Sequence, residues 1–384
     1  MKFIHTADWH LGRLFHGIHL TEDQAHILDQ VLDLVRDTRP DAFIIAGDVY
    51  DRAVPPPEAV KLLDDVLSRL VLGLGVPTII ISGNHDSAQR LGFGSRLLAE
   101  QQLNVVTSVG HEAIRVALQD DHGPVHFFPV PYCEPAVVRW ELDDESIRDH
   151  QTAMERVTAR ARHAVPQRER SVLVAHGFVA GGQQSDSERP LSVGGAEQVD
   201  AGVLTGFNYV ALGHLHRPQT AGGDHIRYSG SLLKYSFSEA DHVKGVNLVE
   251  MDAQGECRVE HIVLEPVRDV RRIEGYLAEI LSNPEEGERA GDYLAVSLLD
   301  KGAILDVMAK LRTVHPNVLH VERPHLTLRA DRSGDSVGRR KRGDWELFAD
   351  FFREVTGDPP SPSHRSAYES IVEALRRSEA EGST

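Results

Sequence analysis

Ala42-Phe43-Ile44-Ile45-Ala46-Gly47-Asp48-Val49-Tyr50-Asp51 is a continuous apolar run that breaks at a glycine and then presents two carboxylates. An apolar run without alternation reads as a strand covered on both faces, as in parallel sheets. A glycine at its end permits a sharp turn, and in α/β sheets ligands gather beyond the carboxyl ends of the strands. The stretch therefore predicts an α/β sheet with an oxygen-rich site along one edge.

The same arrangement recurs on either side. Lys2 to Thr6 reads as an apolar strand followed by Asp8 and His10, and Val76 to Ser82 reads as a strand ending in Gly83-Asn84-His85-Asp86. Between the first two strands, Thr21 to Gln24 has the form of a capping box, after which Ile27, Leu28, Val31, Leu32, Leu34 and Val35 mark one face of a helix stopped by Pro40-Asp41. Pro55 to Pro57 opens a second amphipathic helix, reaching Leu72. Past Glu100 the pattern turns strand-rich, with short strands around Val105, Ile114 and Phe127 and a helix from about Ile147 to Ala164. Further strands end at His176 and Gly213, and two more fall at Val246 to Met251 and Val259 to Leu264. Alternating βα units followed by a strand-rich half predict a layered sandwich of sheets flanked by helices.

From Pro266 a separate αβαβ unit is expected: a helix near Ile273 to Leu281, a strand near Leu294 to Leu298, a helix near Ile304 to Leu311 and a strand near Val318 to Val321. The chain thus divides into a main domain at 1–265, a small unit at 266–330, a polar linker at 331–343 carrying Arg339, Arg340, Lys341 and Arg342, and a C-terminal segment at 344–384. That segment reads as two helices, about Trp345 to Thr356 and His364 to Arg377. In the first of them Trp345, Leu347, Phe348, Phe351 and Phe352 form an apolar face too large for an isolated hairpin to bury.

Five motifs share one property: Asp8-x-His10, Gly47-Asp48-x-x-Asp51, Gly83-Asn84-His85-Asp86, His176-Gly177 and Gly213-His214-x-His216 each follow an apolar strand. Singly, each reads as an ordinary turn or strand end. Together they read as one metal site. Only two cysteines occur, Cys133 and Cys257, so a disulfide framework and a thiolate cluster are excluded, and oxygen and imidazole must hold any metal. Such donors suit ions such as Mn²⁺, Fe²⁺ or Zn²⁺, and the single Asn favours an open, labile site. A carboxylate shared by two cations about 4 Å apart leaves room for a water, and the natural reaction is in-line attack on a phosphoester.

The ordered set resembles the signature of the calcineurin-like metallophosphoesterases. The extended form Asp8-Trp9-His10-Leu11-Gly12 and the Gly83-Asn84-His85-Asp86 block are similar to the bacterial SbcD nuclease family, relatives of the archaeal and eukaryotic break-repair nucleases. The resemblance runs over essentially the whole chain and is most specific through about residue 265. It implies an α/β metallophosphoesterase sandwich, two mixed β-sheets flanked by helices, with a small α+β capping domain and C-terminal helices. It implies that Asp8, His10 and His216 bind one metal, that Asn84, His176 and His214 bind the other, that Asp48 bridges the two, and that His85 is catalytic and faces the phosphate. The cofactors implied are two divalent ions, Mn²⁺ ahead of Mg²⁺. Asp51, where archaeal and eukaryotic relatives carry a histidine, stays open between orienting a ligand and shaping its loop, and so does Asp86.

The resemblance, rather than the motifs, points to DNA. Arg13, His16, Arg52 and Arg90 follow the metal loops closely and are candidate phosphate contacts, the competing reading being solvated surface side chains. With a formal charge of −17 the chain does not coat nucleic acid by bulk attraction, so DNA must be met through a local patch, bound cations or a partner. No GxxxxGK[ST] occurs, so this chain is not expected to bind ATP. The resemblance implies an SbcC-type ATPase with a long coiled coil as partner, docked on the C-terminal helices, unless these pack on the chain's own domain. It also implies a homodimer within a heterotetramer, acting as double-strand exonuclease and as endonuclease on single strands and hairpins in repair, recombination and replication. No apolar run has the length of a membrane span and no leader is evident, so a cytoplasmic, nucleoid-associated place with no membrane contact is expected. Two alternatives compete. A phosphodiesterase of a small nucleotide has no use for residues 266–384, and a silent adaptor that positions an ATPase on DNA has no use for a complete ligand set.

Overall fold

Ala42–Ala46 lies within a six-stranded sheet whose order is Cys257–Val263, Gly245–Met251, Lys2–Thr6, Ala42–Ala46, Thr78–Ile81, Leu103–Val106. The last four run parallel, Gly245–Met251 pairs antiparallel with Lys2–Thr6, and Cys257–Val263 pairs antiparallel with Gly245–Met251. A second six-stranded sheet follows the order Gln219–Thr220, Ile226–Tyr228, Tyr209–Gly213, Arg170–His176, Gly123–Val130, Val116–Asp120. Its parallel centre sets Gly213 beside His176, so two of the candidate ligand motifs emerge side by side at one edge. The computed structural model describes residues 1–188, 198–283, 287–302, 304–324, 343–356 and 358–381; the chain forms two units, Met1–Val270 and Arg271–Thr384.

Alternate residues of each strand meet between the sheets: Phe3, Ile44, Ala46, Ile79 and Ile81 from one face Phe127, Val172, Val174, Tyr209 and Ala211 from the other. The Phe3 ring stands edge-on to Phe127 at 5.7 Å and to Tyr209 at 5.5 Å, the arrangement that ring quadrupoles favour. The intervening residues Phe43 and Ile45 are buried on the opposite side, which is why the strand is apolar without alternation. On the outer face of the second sheet, the helix His150–His163 opens with a capping box between Asp149 and Thr152. It lays Ala153, Met154, Val157 and Ala161 in one apolar cluster with Leu173, Ala175, Val210 and Leu212.

Several local readings change. The helix Thr21–Thr38 buries the expected face, but Leu20 is its N-cap, without a side-chain capping bond, because Gln24 is turned toward the carbonyls of Trp9 and His10. The second helix spans Pro57–Leu67 and continues to Gly73 as a wider π turn. Ile114 precedes its strand, which is Val116–Asp120. The helices Ala88–Leu91, Ser95–Ala99 and Pro135–Leu142 carry no long periodic signal and were not expected.

The second unit corrects the expected αβαβ order to βαβαβ. Val270–Gly275 is a strand whose apolar Val270 and Ile273 are three apart and so mimic a helical face; the helix begins only at Leu277. Tyr293–Leu298 pairs in parallel with Val318–Glu322 over a core of Leu277, Leu294, Val296, Leu298, Leu311 and Val318. The C-terminal helices are Asp344–Thr356 and Pro362–Glu381. Trp345 and Phe348 pack on Tyr368 at 5.3 and 4.7 Å and Phe352 on His364 at 4.6 Å, so the second helix covers part of the aromatic face while Phe351 stays 61% exposed. The expected linker through residue 342, with its basic run, lies outside the described residues. No helix of the described residues is long and apolar enough to cross a membrane.

Because Phe127 is fully buried between the sheets, Phe127→Ala is expected to cost ~3–5 kcal/mol, seen as a lower denaturant midpoint. An unchanged midpoint would show that the inter-sheet layer does not hold the first unit together.

Candidate metal centre

The expected ligands arrive from both sheets. Asp8 and His10 follow Lys2–Thr6, Asp48 follows Ala42–Ala46, Asn84 and His85 follow Thr78–Ile81, and His176, His214 and His216 come from the second sheet. Asn84 is partly buried and the rest are buried. Asp48 Oδ2 lies 3.5 Å from His176 Nε2, 3.7 Å from His10 Nε2 and 4.0 Å from His85 Nε2. His10 Nε2 and His216 Nε2 are 3.0 Å apart, and Asn84 Oδ1 lies 2.9 Å from His176 Nε2 and 3.1 Å from His214 Nδ1.

This convergence strains the backbone. Asp8, His10, Asp48 and His214 have φ of 54°, 45°, 49° and 113°, a region side chains other than glycine seldom enter. Cross-links hold them there: Asp8 N–H donates to the Gly47 carbonyl, His10 N–H to the Asp48 carbonyl, and His214 N–H to the Asp8 carboxylate at 3.0 Å. A Cβ on Gly213 would lie 1.9 Å from the Ala46 carbonyl oxygen, and one on Gly47 2.3 Å from His176 Nδ1. Only glycine lets the two sheet edges close on the site.

Burial alone would raise the Asp48 carboxyl, but the imidazoles of His176, His10 and His85 outweigh it and hold the group well below the usual carboxylate range. Burial would lower His176, yet Asp48 and Asp8 drive it up to about 9. Burial raises Asp8 to about 7 against the pull of His176 and His216, and lowers His214 to about 3 with help from charged His176. Burial also takes His10 well below its ordinary value.

The donor set fits divalent cations. His10 Nδ1 and His214 Nε2 are buried without a hydrogen-bond partner, and two imidazole Nε2 atoms face each other beside a buried carboxylate. Asp8, His10 and His216 could hold one ion, and Asp8, Asp48 and His176 also converge closely enough. His10, Asp51 and His85 form a third group, but Asp51 is already engaged: its carboxylate accepts from Arg13 Nη1 at 2.7 Å and its carbonyl from His85 Nδ1 at 2.8 Å. Cys133, whose thiol burial pushes up to about 12, offers no alternative ligand.

Asp86 accepts from the backbone N–H of Gly83, Tyr50 and Val49 at 2.9, 2.9 and 3.1 Å, so it braces the second and third metal loops against each other. Of the residues expected near DNA, Arg13 is tied to Asp51 and lies over the Tyr235 ring at 5.6 Å, whereas His16, Arg52 and Arg90 are exposed. The sequence marks Gln24 only as part of a capping box, not as a residue of the site. Its Nε2 donates to the His10 carbonyl at 2.8 Å and its Oε1 accepts from Gly12 N–H at 3.1 Å, so the apparent capping residue secures the first metal loop. Ser187, Glu188, Glu239 and Lys244, buried behind His216, escaped the sequence reading, because no spacing links them.

Residues 1–218 match the family model of calcineurin-like phosphoesterases. Over 98% of its length the chain is 34% identical to the SbcD component of the nuclease SbcCD of Staphylococcus saprophyticus, and it covers 98% of that protein. The chain belongs to the SbcD branch of the calcineurin-like phosphoesterases. It is therefore a metal-dependent phosphodiesterase by family. Residues 266–356 match the model described as type 5 capsule protein repressor C-terminal domain. A match through both units does not favour the small-nucleotide alternative. Among solved structures the chain is similar to a dimetal phosphatase from Danio rerio, with TM-score 0.40 and 13% identity over 68% of this chain and 98% of that one. It is also similar to the calcineurin-like phosphoesterase YfkN from Bacillus subtilis, with TM-score 0.35 and 12% identity over 69% and 90%.

In the metal-free chain the carboxylates Asp48 and Asp8 favour the protonated form of His176, and burial favours the protonated form of Asp8. Cations must displace these protons, so Mn²⁺ affinity should rise with pH between about 6 and 9, with roughly one to two protons released near pH 7. Calorimetry in buffers of differing ionisation enthalpy measures this; binding without proton release would remove His176 and Asp8 from the ligand set.

Proposed function

We propose that this chain is the metal-dependent DNA nuclease component of a complex with an SbcC-type ATPase, cutting duplex ends as an exonuclease and single strands and hairpins as an endonuclease. The observation that carries the reading is the convergence on Asp48 of imidazoles from both sheets, within 4.0 Å. Asp8, His10 and His216 would hold one cation, Asn84, His176 and His214 the other, with Asp48 serving both. The facing Nε2 atoms of His10 and His216 beside Asp8, and the approach of Asn84 Oδ1 to His176 and His214, support that division. An imidazole-rich set favours Mn²⁺ over Mg²⁺, which prefers oxygen and its own waters.

When bound, the cations supply Lewis-acid stabilisation of the phosphoryl oxygens and acidify water at neutral pH. His85 donates from Nδ1 to the Asp51 carbonyl, so its Nε2 faces the Asp48 side of the site. There it holds a proton and delivers it to the leaving sugar oxygen. Arg13, clamped to the Asp51 carboxylate, steadies the loop that orients His85. Exposed His16, Arg52 and Arg90 meet backbone phosphates.

Residues 1–265 form the nuclease domain, 266–330 the capping domain, 331–343 a linker and 344–384 the partner-binding segment. Leu347, Phe351 and Ile371 remain exposed on the C-terminal helices and suit docking of a coiled coil. Two copies of this chain pair within a heterotetramer that works at the nucleoid, in the cytoplasm.

The test supplies linear duplex, hairpin and single-stranded DNA with Mn²⁺ or Mg²⁺, with and without the ATPase. Asp48→Asn is expected to lose both bound metal and cleavage. His85→Ala should keep its metal while cleavage falls about 10²–10⁴-fold; a variant that cuts at the parent rate would end the proton-donor role.

A further inference from the structure

His216 is gripped at three atoms. Its N–H donates to Glu188 Oε1 at 2.6 Å, its carbonyl accepts from Lys244 Nζ at 2.7 Å, and its Nδ1 lies 2.7 Å from Ser187 Oγ. Ser187 also hydrogen-bonds the Glu239 carboxylate, whose Oε1 itself lies 3.4 Å from His216 Nδ1, a longer and weaker approach than the one through the serine. An ionised carboxylate only accepts and a hydroxyl has one proton, so Ser187 donates to Glu239 and must accept from Nδ1–H of His216. The tautomer is thereby set, and the Nε2 lone pair points toward His10 Nε2, 3.0 Å away in the metal site.

Glu239 is kept ionised from behind. Lys244 Nζ lies 2.5 Å from Glu239 Oε2 and spends its remaining protons on the His216 carbonyl and on Ser231 Oγ at 2.8 Å. Ser187, Glu239 and Lys244 are 6%, 0% and 6% exposed, so the network works in a medium that strengthens each bond. His176, by contrast, is oriented through Nδ1 by the Ala46 carbonyl inside the sheet, and His10 Nδ1 makes no hydrogen bond, with Asp51 Oδ1 3.7 Å away.

Ser187 stands on a segment outside helix and strand. That segment is seated by Asp186 N–H on Ser238 Oγ at 2.9 Å, by Ser185 N–H on Glu188 Oε2 at 2.7 Å, and by Arg13 Nη2 on the Ser187 carbonyl at 3.4 Å. We propose that Ser187 is a positioning residue that relays the charge of Glu239 to His216, and that the seating of Ser185–Glu188 sets the affinity of the cation position His216 serves. The inference rests on the two-cation reading of the site. Losing an outer partner of a metal-bound imidazole lowers metal affinity 10–100-fold, so unseating this segment weakens one position and leaves the Asn84, His176 and His214 position as it was. By linkage, filling the His216 position favours the seated segment.

The full chain, freed of metal, is titrated with Mn²⁺ by calorimetry beside Ser187→Ala and Ser187→Thr, with unfolding midpoints measured in chelator. For Ser187→Ala we expect one Mn²⁺ at parent affinity, a second bound 10–100-fold more weakly, and cleavage that recovers toward the parent rate at high Mn²⁺. Ser187→Thr, which keeps the hydroxyl, should regain much of the second affinity. Parent-like binding of both ions by Ser187→Ala, equal weakening of both, or no recovery in Ser187→Thr overturns the proposal. A parent chain that takes up no Mn²⁺ overturns the two-cation reading itself.

Discussion

An ionised carboxylate shut away from water is the constraint on which the rest depends. Asp48 is 2% exposed, and it stays charged because imidazoles of His176, His10 and His85 crowd Oδ2 while the His85 N–H donates to Oδ1 at 2.9 Å. A buried charge is tolerated only when its partners are fixed before it arrives. Fixing them takes two sheets, since His10 and His85 hang from one and His176 from the other. The apolar layer of Phe3, Phe127 and Tyr209 is therefore more than a core: it sets the gap across which the ligands meet.

The energetic cost is concentrated at the same place. Four of the expected ligands sit at positive φ, each a state disfavoured by roughly 1–3 kcal/mol. Relaxing any one would turn a side chain out of the cluster, and the Gly47 and Asp48 carbonyls and the Asp8 carboxylate hold Asp8, His10 and His214 against it. The ligands thus depend on the sandwich for their geometry, while the sandwich gains little from them. Stability in the metal-free chain comes from the two apolar faces of each central strand.

What could be read in the sequence follows from how local each signal is. The strand ends at Thr6, Ala46, His176 and Gly213 were legible because an unbroken apolar run and the polar residue that ends it are neighbours in the chain. The strand at Val270–Gly275 was not, since apolar residues three apart match the helical period rather than the alternation of a strand. Gln24 gave a true local signal that tertiary structure overrode: a free backbone N–H at the helix start is cheaply met by water, whereas the buried carbonyls of Trp9 and His10 need a donor. Asp51 and Asp86 look alike in sequence and differ in the fold, one paired with an arginine and the other with backbone N–H groups. The Ser187–Glu239–Lys244 network rests on a bond between Ser187 and Glu239, 52 positions apart, and follows no periodic pattern, so only the fold reveals it.

A chain with formal charge −17 acting on a polyanion needs a source of local attraction, and the site's own ligands suggest where it lies. Asp8 and Asp48 are the carboxylates of the proposed ligand set, the remaining donors being imidazoles and one amide. Two divalent ions held there would outweigh the two carboxylates and make the pocket locally positive in a chain of net negative charge. Field lines converge on such a pocket, so a phosphate is drawn to the point of reaction rather than to the molecule at large. Arg13 does not add freely to this attraction, because Asp51 neutralises it at 2.7 Å. On the proposed reading, substrate capture and metal occupancy would be one property of the site, and the positioning role proposed for Ser187 would bear on both.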